Sequence, residues 1–324
     1  MPSLHWLRFD DPGAGRFPPV RAWCGVLAAI ALGGCSPSTP GSQPPEESLT
    51  SGRIQIVSAP EAMGLVGRQK AVFTALYPQS GIELRGGDSR EAIRALFADE
   101  ADLAVITREL APEERSAAVR GGLELEGYRF ARDAVVVVVH PDNPVENLAL
   151  DDVRRIYQGR ATRWADMGGP DLAVVPVIQR VDADITTFFI DRVMGGEAFS
   201  AASASAPDDA GVLELVARDR AAIGYVSLGA GLAGVRSVRL ASLTGLPYWK
   251  PDLEAVYRGD YPLTRYFNYY VRTSGAPLAK GFITFGTSRE GQVSVQEAGF
   301  VPTTVPVRFV RRSPMMGTHQ GEDR

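Results

Sequence analysis

The side chains that most often carry chemistry are scarce in this chain. Its 324 residues include two cysteines, Cys24 and Cys35, and three histidines, His5, His140 and His319. Both cysteines fall near the start of the sequence, so no disulfide framework can staple the body. The histidines lie far apart, and neither a metal site of the usual ligand types nor any other cofactor is expected. His140 opens His140-Pro141-Asp142-Asn143-Pro144, a turn by its chemistry, and reads as a surface residue. No Gly-x-Ser-x-Gly elbow presents a nucleophilic serine, and no His-Glu-x-x-His pair occurs. Acid–base work would fall to Glu61, Asp182 and Asp184, with no histidine near them in sequence. The chain therefore reads as a binding protein and not an enzyme. A net charge of -4 argues against nucleic acid, which needs a basic stripe, but not against a small anion in a pocket with its own local field.

Cys35 stands out through its neighbours. Arg16 and Arg21 precede an apolar run from Ala22 to Leu32, and Leu32-Gly33-Gly34-Cys35-Ser36 follows. A basic start, a short apolar stretch and small residues before a cleavage point make a secretory signal. The cysteine after two glycines resembles the lipobox of bacterial lipoproteins, which implies cleavage before Cys35 and a diacylglycerol on its sulfur. An ordinary signal peptide with an incidental cysteine is the alternative. Cleavage would discard Cys24, and lipidation would leave no free thiol in an oxidising compartment. Residues 1–34 are thus read as a lipoprotein signal peptide. Residues 35–52, rich in Pro, Ser, Thr and Gly, are read as a flexible tether. Ser36 resembles the sorting pattern for the outer membrane of a Gram-negative envelope. No stretch approaches the roughly 20 apolar residues that span a bilayer, so the lipid is the only membrane attachment expected.

The body must supply the scaffold, and from Arg53 onward strands and helices alternate. The pattern predicts strands over 54–57, 82–84, 102–106, 174–178, 222–226 and 266–271, with helices over 61–76, 89–97, 150–157 and 278–286. Ala134 to Val139 is an alanine followed by five valines, which predicts a strand buried on both faces, as in a parallel sheet. This order predicts an α/β fold of mixed, mostly parallel sheets with flanking helices. The tryptophans and the Tyr266–Tyr270 cluster are expected in the core. Residues 311–324 read as a disordered tail.

Six segments stand in order over about 250 residues: Asp102 to Leu110, Asp133 to Pro144, Ile156 to Trp164, Ala222 to Gly229, Gly259 to Arg265, and Gly291 to Pro302. Together they resemble the phosphate-binding, PstS-like proteins of ABC transporters. The resemblance implies two lobes joined by two hinge crossovers, near Asp133 and Pro262. Lobe 1 would comprise 53–133 plus 263–310 and lobe 2 residues 134–262.

It also implies an anion pocket built from helix N-termini, hydroxyls, an arginine and a carboxylate. Ser58, Ala59 and Glu61 would form its first loop, Ser89 and Arg90 its second, and Thr107 and Arg108 a cleft-lining segment. Arg180, Asp182, Asp184 and Thr186 would form the last loop. Ala59, Pro60, Glu61, Arg90, Ala183, Asp184 and Ile185 depart from the family pattern, and Glu61 and Asp184 add two carboxylates. Ser58, Ser89 and Thr186 could instead be plain helix caps, Arg180–Asp182 a structural ion pair, and Arg108 a solvated charge. The implied function is capture of phosphate or a related oxyanion by a monomeric envelope lipoprotein serving an ABC permease. The alternative is a PstS-like sensor or envelope interaction lipoprotein with altered or lost ligand binding.

Metabolic labelling with a palmitate analogue should mark the wild type and not Cys35→Ala; equal labelling of the two would remove the lipid anchor.

Overall fold

The computed structural model describes residues 47–303. The signal peptide, Cys24, Cys35, most of the tether, His5, His319 and the tail lie outside the described residues. The first elements are β1 (Gly52–Ser58), α1 (Pro60–Leu76), β2 (Ser80–Gly86), α2 (Ser89–Phe97), β3 (Leu103–Ile106) and α3 (Pro112–Arg120). In α1, Pro60 takes the first turn, where its missing N–H costs no helical bond. Ala62, Leu65, Val66, Gln69 and Phe73 recur at helical spacing and form its buried face. Asp88 caps α2, its carboxylate accepting the Glu91 N–H at 2.7 Å.

A single long strand, β4 (Leu125–Val139), follows. Beyond it come β5 (Asn147–Ala149), α4 (Leu150–Tyr157), β6 (Val175–Gln179), α5 (Asp184–Phe189), β7 (Ala204–Ala206) and α6 (Asp209–Arg218). Next are β8 (Ala222–Ser227), β9 (Arg236–Ser237), β10 (Arg239–Ala241) and α7 (Leu253–Arg258). The chain then returns through β11 (Thr264–Arg272), α8 (Pro277–Thr287), α9 (Arg289–Glu297) and β12 (Val301–Pro302). The strand order is β2-β1-β3-β11-β4-β8-β6-β7, with β9 and β12 also on β4 and a small separate β5–β10 pair. Among the described residues no helix is long and apolar enough to cross a membrane.

The fold is two-lobed α/β, and β4 belongs to both lobes. Its first part pairs with β11 from Leu125 to Ala134, whereas Val135 to Val139 pair with β8. The valine run is buried on both faces, as its composition predicts, but its partners run antiparallel. The reason is topological. The pairs β1–β2, β1–β3, β6–β7 and β6–β8 are parallel, and every antiparallel ladder among the described residues involves β4 or β11, the two long strands on which the chain leaves the first lobe and returns to it. The first nine residues of β4 escape a sequence reading because Gly127, Tyr128 and Arg129 are exposed and break any alternation.

One core gathers around Val135–Val139 with Tyr157, Trp164, Phe189 and Tyr225. A second joins Ile56, Leu65, Phe73, Phe130, Tyr269 and Phe282, and a third covers the other face of β1 and β3 with Ile93 and Leu96. Phe267 and Tyr269 are fully buried, as the aromatic cluster led us to expect. Phe130 stacks on Tyr269 with ring centroids 3.8 Å apart. Trp164 is buried too, its indole N–H donating to the Ala221 carbonyl at 2.9 Å, whereas Trp249 is exposed, contrary to expectation.

Where β4 passes from one lobe to the other, Asp133 lies directly opposite Arg265 of β11. Asp133 Oδ2 accepts from Arg265 Nε at 2.8 Å, while Oδ1 accepts from Ser227 Oγ at 2.9 Å and the Leu228 N–H at 3.0 Å. Both side chains are almost wholly buried. Removing one partner of such a pair leaves an uncompensated buried charge, typically at a cost of about 3–5 kcal/mol. Asp133→Ala should therefore lower the urea-unfolding free energy by about that amount; a loss below about 1 kcal/mol would show the pair to be dispensable.

Candidate functional site

The centre of the site is the carboxylate of Asp184. It starts α5, on the second lobe, and reaches across to groups carried by the first. Ser89 Oγ and Thr107 Oγ1 both donate to Asp184 Oδ2, the latter at 3.1 Å, and Arg108 Nε lies 3.6 Å from Oδ1. Ser89 Oγ also accepts the Thr107 N–H at 3.3 Å, which ties the start of α2 to the end of β3. The side chain of Asp184 is 9% exposed.

Arg108 is held from behind. Its two terminal nitrogens donate to the two oxygens of Glu114, each at 2.8 Å, a planar paired contact. Burial works to raise the Glu114 carboxyl, but the Arg108 hydrogen bonds and the Ala111 N–H at 2.7 Å hold it below the usual range. Asn268 of β11 donates to the Arg108 carbonyl at 2.8 Å, fixing the backbone here as well.

Beside Asp184 sits a second charged group. Glu61, in the first turn of α1, faces Arg265 with Oε1 3.7 Å from Nη1. Burial pushes the Glu61 carboxyl above its ordinary range; Arg265 offsets part of this, and the nearby Asp184 charge adds to it. Arg265 donates from Nε to Asp133, yet its buried Nη1 and Nη2 make no hydrogen bond among the described residues. On the far wall, Asp209 Oδ1 accepts from Gln179 Nε2 at 2.6 Å and from the Ser227 N–H at 3.2 Å. Burial, with a smaller contribution from Asp133, pushes the Asp209 carboxyl up to about 6.

A cleft of 490 Å³ opens here, lined by Glu61, Asp184 and Asp209, with apolar walls that include Pro60 and Leu213. Its field is set by carboxylates. Two unit charges about 4 Å apart interact by roughly 4 kcal/mol at an effective dielectric near 20. Arg108 is already matched by Glu114, so Arg265 faces Asp133, Glu61 and Asp184 together.

The structure thus brings Glu61, Ser89, Thr107, Arg108 and Asp184 to one place. The other expected site residues do not join this cluster. Ser58 is buried and donates to the Ala59 carbonyl at 3.1 Å, and the Ala59 N–H donates to Val105 at 2.9 Å, so this loop is tied to β3. Thr186 turns into the second lobe's core, its hydroxyl 2.9 Å from that of Tyr225. Arg180 and Asp182, about two-thirds exposed, pair with each other and line the same cleft as Glu61 and Asp184, without joining the hydrogen bonds to the Asp184 carboxylate. The Arg180 guanidinium holds the Asp182 carboxyl below its usual range. Arg90 is exposed, and its charge is felt at Glu114.

Sequence reasoning missed Arg265, Asp133, Asp209 and Gln179. Two of these had a signal: Asp133 stands one residue before a run of buried valines, and Asp208-Asp209 opens a helix. Among the described residues no group of three or more His, Cys, Asp and Glu side chains is placed to hold a metal ion.

Asp209 supplies a pH test. Its carboxyl is raised from 3.8 to about 6, so the folded state binds more protons than the unfolded one between those values. Stability should then fall as pH rises through that window, by up to about 3 kcal/mol from this group. Asn is a close isostere because both donors use the same oxygen, Oδ1. Asp209→Asn should flatten the stability profile between about pH 4 and pH 6 in urea titrations. An unchanged slope would place the titration elsewhere.

The family defined as the PBP superfamily domain matches residues 43–290. The phosphate-binding protein PstS of Pseudomonas aeruginosa is 28% identical over 303 residues, covering 87% of this chain and 92% of that protein. PstS of Bacillus subtilis is 23% identical over 289 residues, covering 88% and 92%. Among solved structures, a chain from Clostridium perfringens assigned as a phosphate ABC transporter substrate-binding protein, with phosphate bound, superposes with a TM-score of 0.68. It is 23% identical and covers 78% of this chain and 99% of that one. An ABC-type phosphate transport receptor from Vibrio cholerae gives a TM-score of 0.67 at 22% identity, covering 76% and 99%. With a match over most of its length and a fold shared with these structures, the chain belongs to the PBP superfamily.

Proposed function

We propose that this chain is an exported solute-binding protein that captures phosphate, or a closely related small oxyanion, between its lobes and delivers it to an ABC permease. The observation that carries this reading is the convergence of Ser89 Oγ, Thr107 Oγ1 and Arg108 Nε on the carboxylate oxygens of Asp184. Hydroxyls and a guanidinium gathered around negatively charged oxygens are the chemistry of oxyanion recognition. The two buried terminal nitrogens of Arg265 supply further donors nearby. The names of the Pseudomonas and Bacillus relatives support phosphate as the solute.

The raised carboxyls of Glu61 and Asp209 fit the same reading. Hydrogen phosphate carries a proton that it can share with a carboxylate, whereas sulfate does not, so a carboxylate-lined cleft discriminates between the two. In this reading the lobes are 53–133 with 263–310, and 134–262. Cys35 carries the lipid that anchors a monomer to the envelope, outer membrane included. No side chain is assigned a catalytic role.

Calorimetry of the full chain against phosphate, sulfate, molybdate and small carboxylates tests the proposal, with phosphate expected to bind tightest. Arg108→Ala should weaken it by about ten- to a hundred-fold, as expected for a charge-assisted contact of about 1.5–3 kcal/mol. Arg180→Ala should change it little, because an exposed, locally paired arginine contributes little. Absence of heat with every oxyanion would reject the reading. A larger loss from Arg180→Ala than from Arg108→Ala would relocate the site to the rim.

A further inference from the structure

We propose that Asp184 is a tethered anion: a side-chain carboxylate of the second lobe that occupies the first lobe's oxyanion donors, holds the lobes together without solute, and must be displaced when solute binds. Displacement rests on the oxyanion reading above; closure does not.

Three observations carry the inference. First, the donors come from one lobe and the acceptor from the other. Ser89 and Thr107 lie 95 and 77 residues from Asp184, on α2 and just after β3, yet both hydroxyls donate to one oxygen of its carboxylate. Second, the cradle is built independently of Asp184. Glu114 clamps the Arg108 guanidinium, Asn268 fixes its carbonyl, and the Thr107 N–H donates to Ser89 Oγ. Third, the contact lies where opening must break it. The hydrogen bonds from Asp133 to Ser227 and Leu228, and from Arg132 to Tyr257, belong to the crossover strand β4, which hinge motion can leave in place. The Asp184 contacts join the separable faces of the cleft.

The carboxylate also resembles the solute it would exclude. It offers two oxygens and one negative charge, where hydrogen phosphate offers four oxygens and a net charge near minus two. A free solute can therefore win by making more charge-assisted hydrogen bonds, but it competes with a group already in place at a high effective concentration. Asp184 thereby sets both the affinity and the resting shape. A solute that leaves Asp184 in place would meet its charge, together with that of Glu61.

The test uses the full chain, dialysed free of anions, and compares the wild type with Asp184→Ala and with the opposite-side variant Ser89→Ala/Thr107→Val. Small-angle scattering should show a compact wild type that phosphate hardly changes. Both variants should be more open without anion, and Asp184→Ala should contract on adding phosphate. Roughly tens of millimolar acetate, a free carboxylate standing in for the deleted one, should also contract Asp184→Ala but not the opposite-side variant. Phosphate should bind Asp184→Ala about ten-fold or more tightly than it binds the wild type.

An Asp184→Ala chain as compact as the wild type, with equal or weaker phosphate affinity, overturns the inference: Asp184 would then be an ordinary ligand or surface group. Opening of both variants, with acetate rescue but no phosphate binding by any of the three proteins, would keep the tether and reject phosphate as the solute. If Asp184→Ala does not fold, opening of the opposite-side variant decides closure by itself, and a compact one overturns it.

Discussion

The rest of this structure depends on one buried ion pair, Asp133 with Arg265. The two residues face each other across β4 and β11, the strands on which the chain leaves the first lobe and returns to it. Asp133 also takes the Ser227 hydroxyl and the Leu228 N–H, so one carboxylate joins the first lobe's β11 to the end of the second lobe's β8. A slip of one residue in the β4–β11 register would separate the charges and reverse which faces carry the buried side chains. With register pinned at the crossover, the freedom left to the lobes is rotation about it, which is the hinge motion that opens and closes clefts.

The same pair decides how charge is arranged above it. Arg265 is fixed by Asp133, so its guanidinium is presented to Glu61 and Asp184 from below. Its terminal nitrogens are buried and without hydrogen bonds among the described residues, a costly state for charged donors unless something nearby can use them. Arg108 is presented in a comparable way, backed by Glu114 and Asn268. Two arginines held from behind by carboxylates or carbonyls make a rigid donor surface that need not reorganise when an anion arrives.

Much of the scaffold was legible in the sequence, and the misses have physical causes. Helices α2 and α4 were readable to the residue because Asp88-Ser89 and Leu150-Asp151-Asp152 are strong start signals followed by helical apolar spacing. The valine run gave the buried half of β4 but not its direction, since burial on both faces says nothing of whether neighbours run parallel. The exposed half of β4 carries no periodicity because its burial is set by a strand about 140 residues later. Ser89, Thr107, Arg108, Glu61 and Asp184 were singled out through the pocket loops that the family resemblance implies, and they gather at one place. Thr186 and Ser58 were not distinguished from core groups, because a hydroxyl at a helix start looks the same whether it faces solute or a tyrosine. Arg265 was quoted within a matching segment yet given no role, because only three-dimensional pairing reveals that it is buried.

On the proposed function, selectivity follows from the balance between those arginines and the surrounding carboxylates. An oxyanion site usually gains from every cation and loses from every carboxylate, and here the carboxylates Glu61, Asp184 and Asp209 share the cleft. Burial raises Glu61 and Asp209, so each ionised form is a strong proton and hydrogen-bond acceptor. A ligand that brings its own proton can share it with such a group and relieve the repulsion; a fully ionised anion of the same shape cannot. The arrangement penalises anions in general and spares protonated ones, so its acidity acts as a filter. On the proposed function, the hydroxyl cradle at Asp184 provides the attraction, and the carboxylates around it decide which oxyanion can use it.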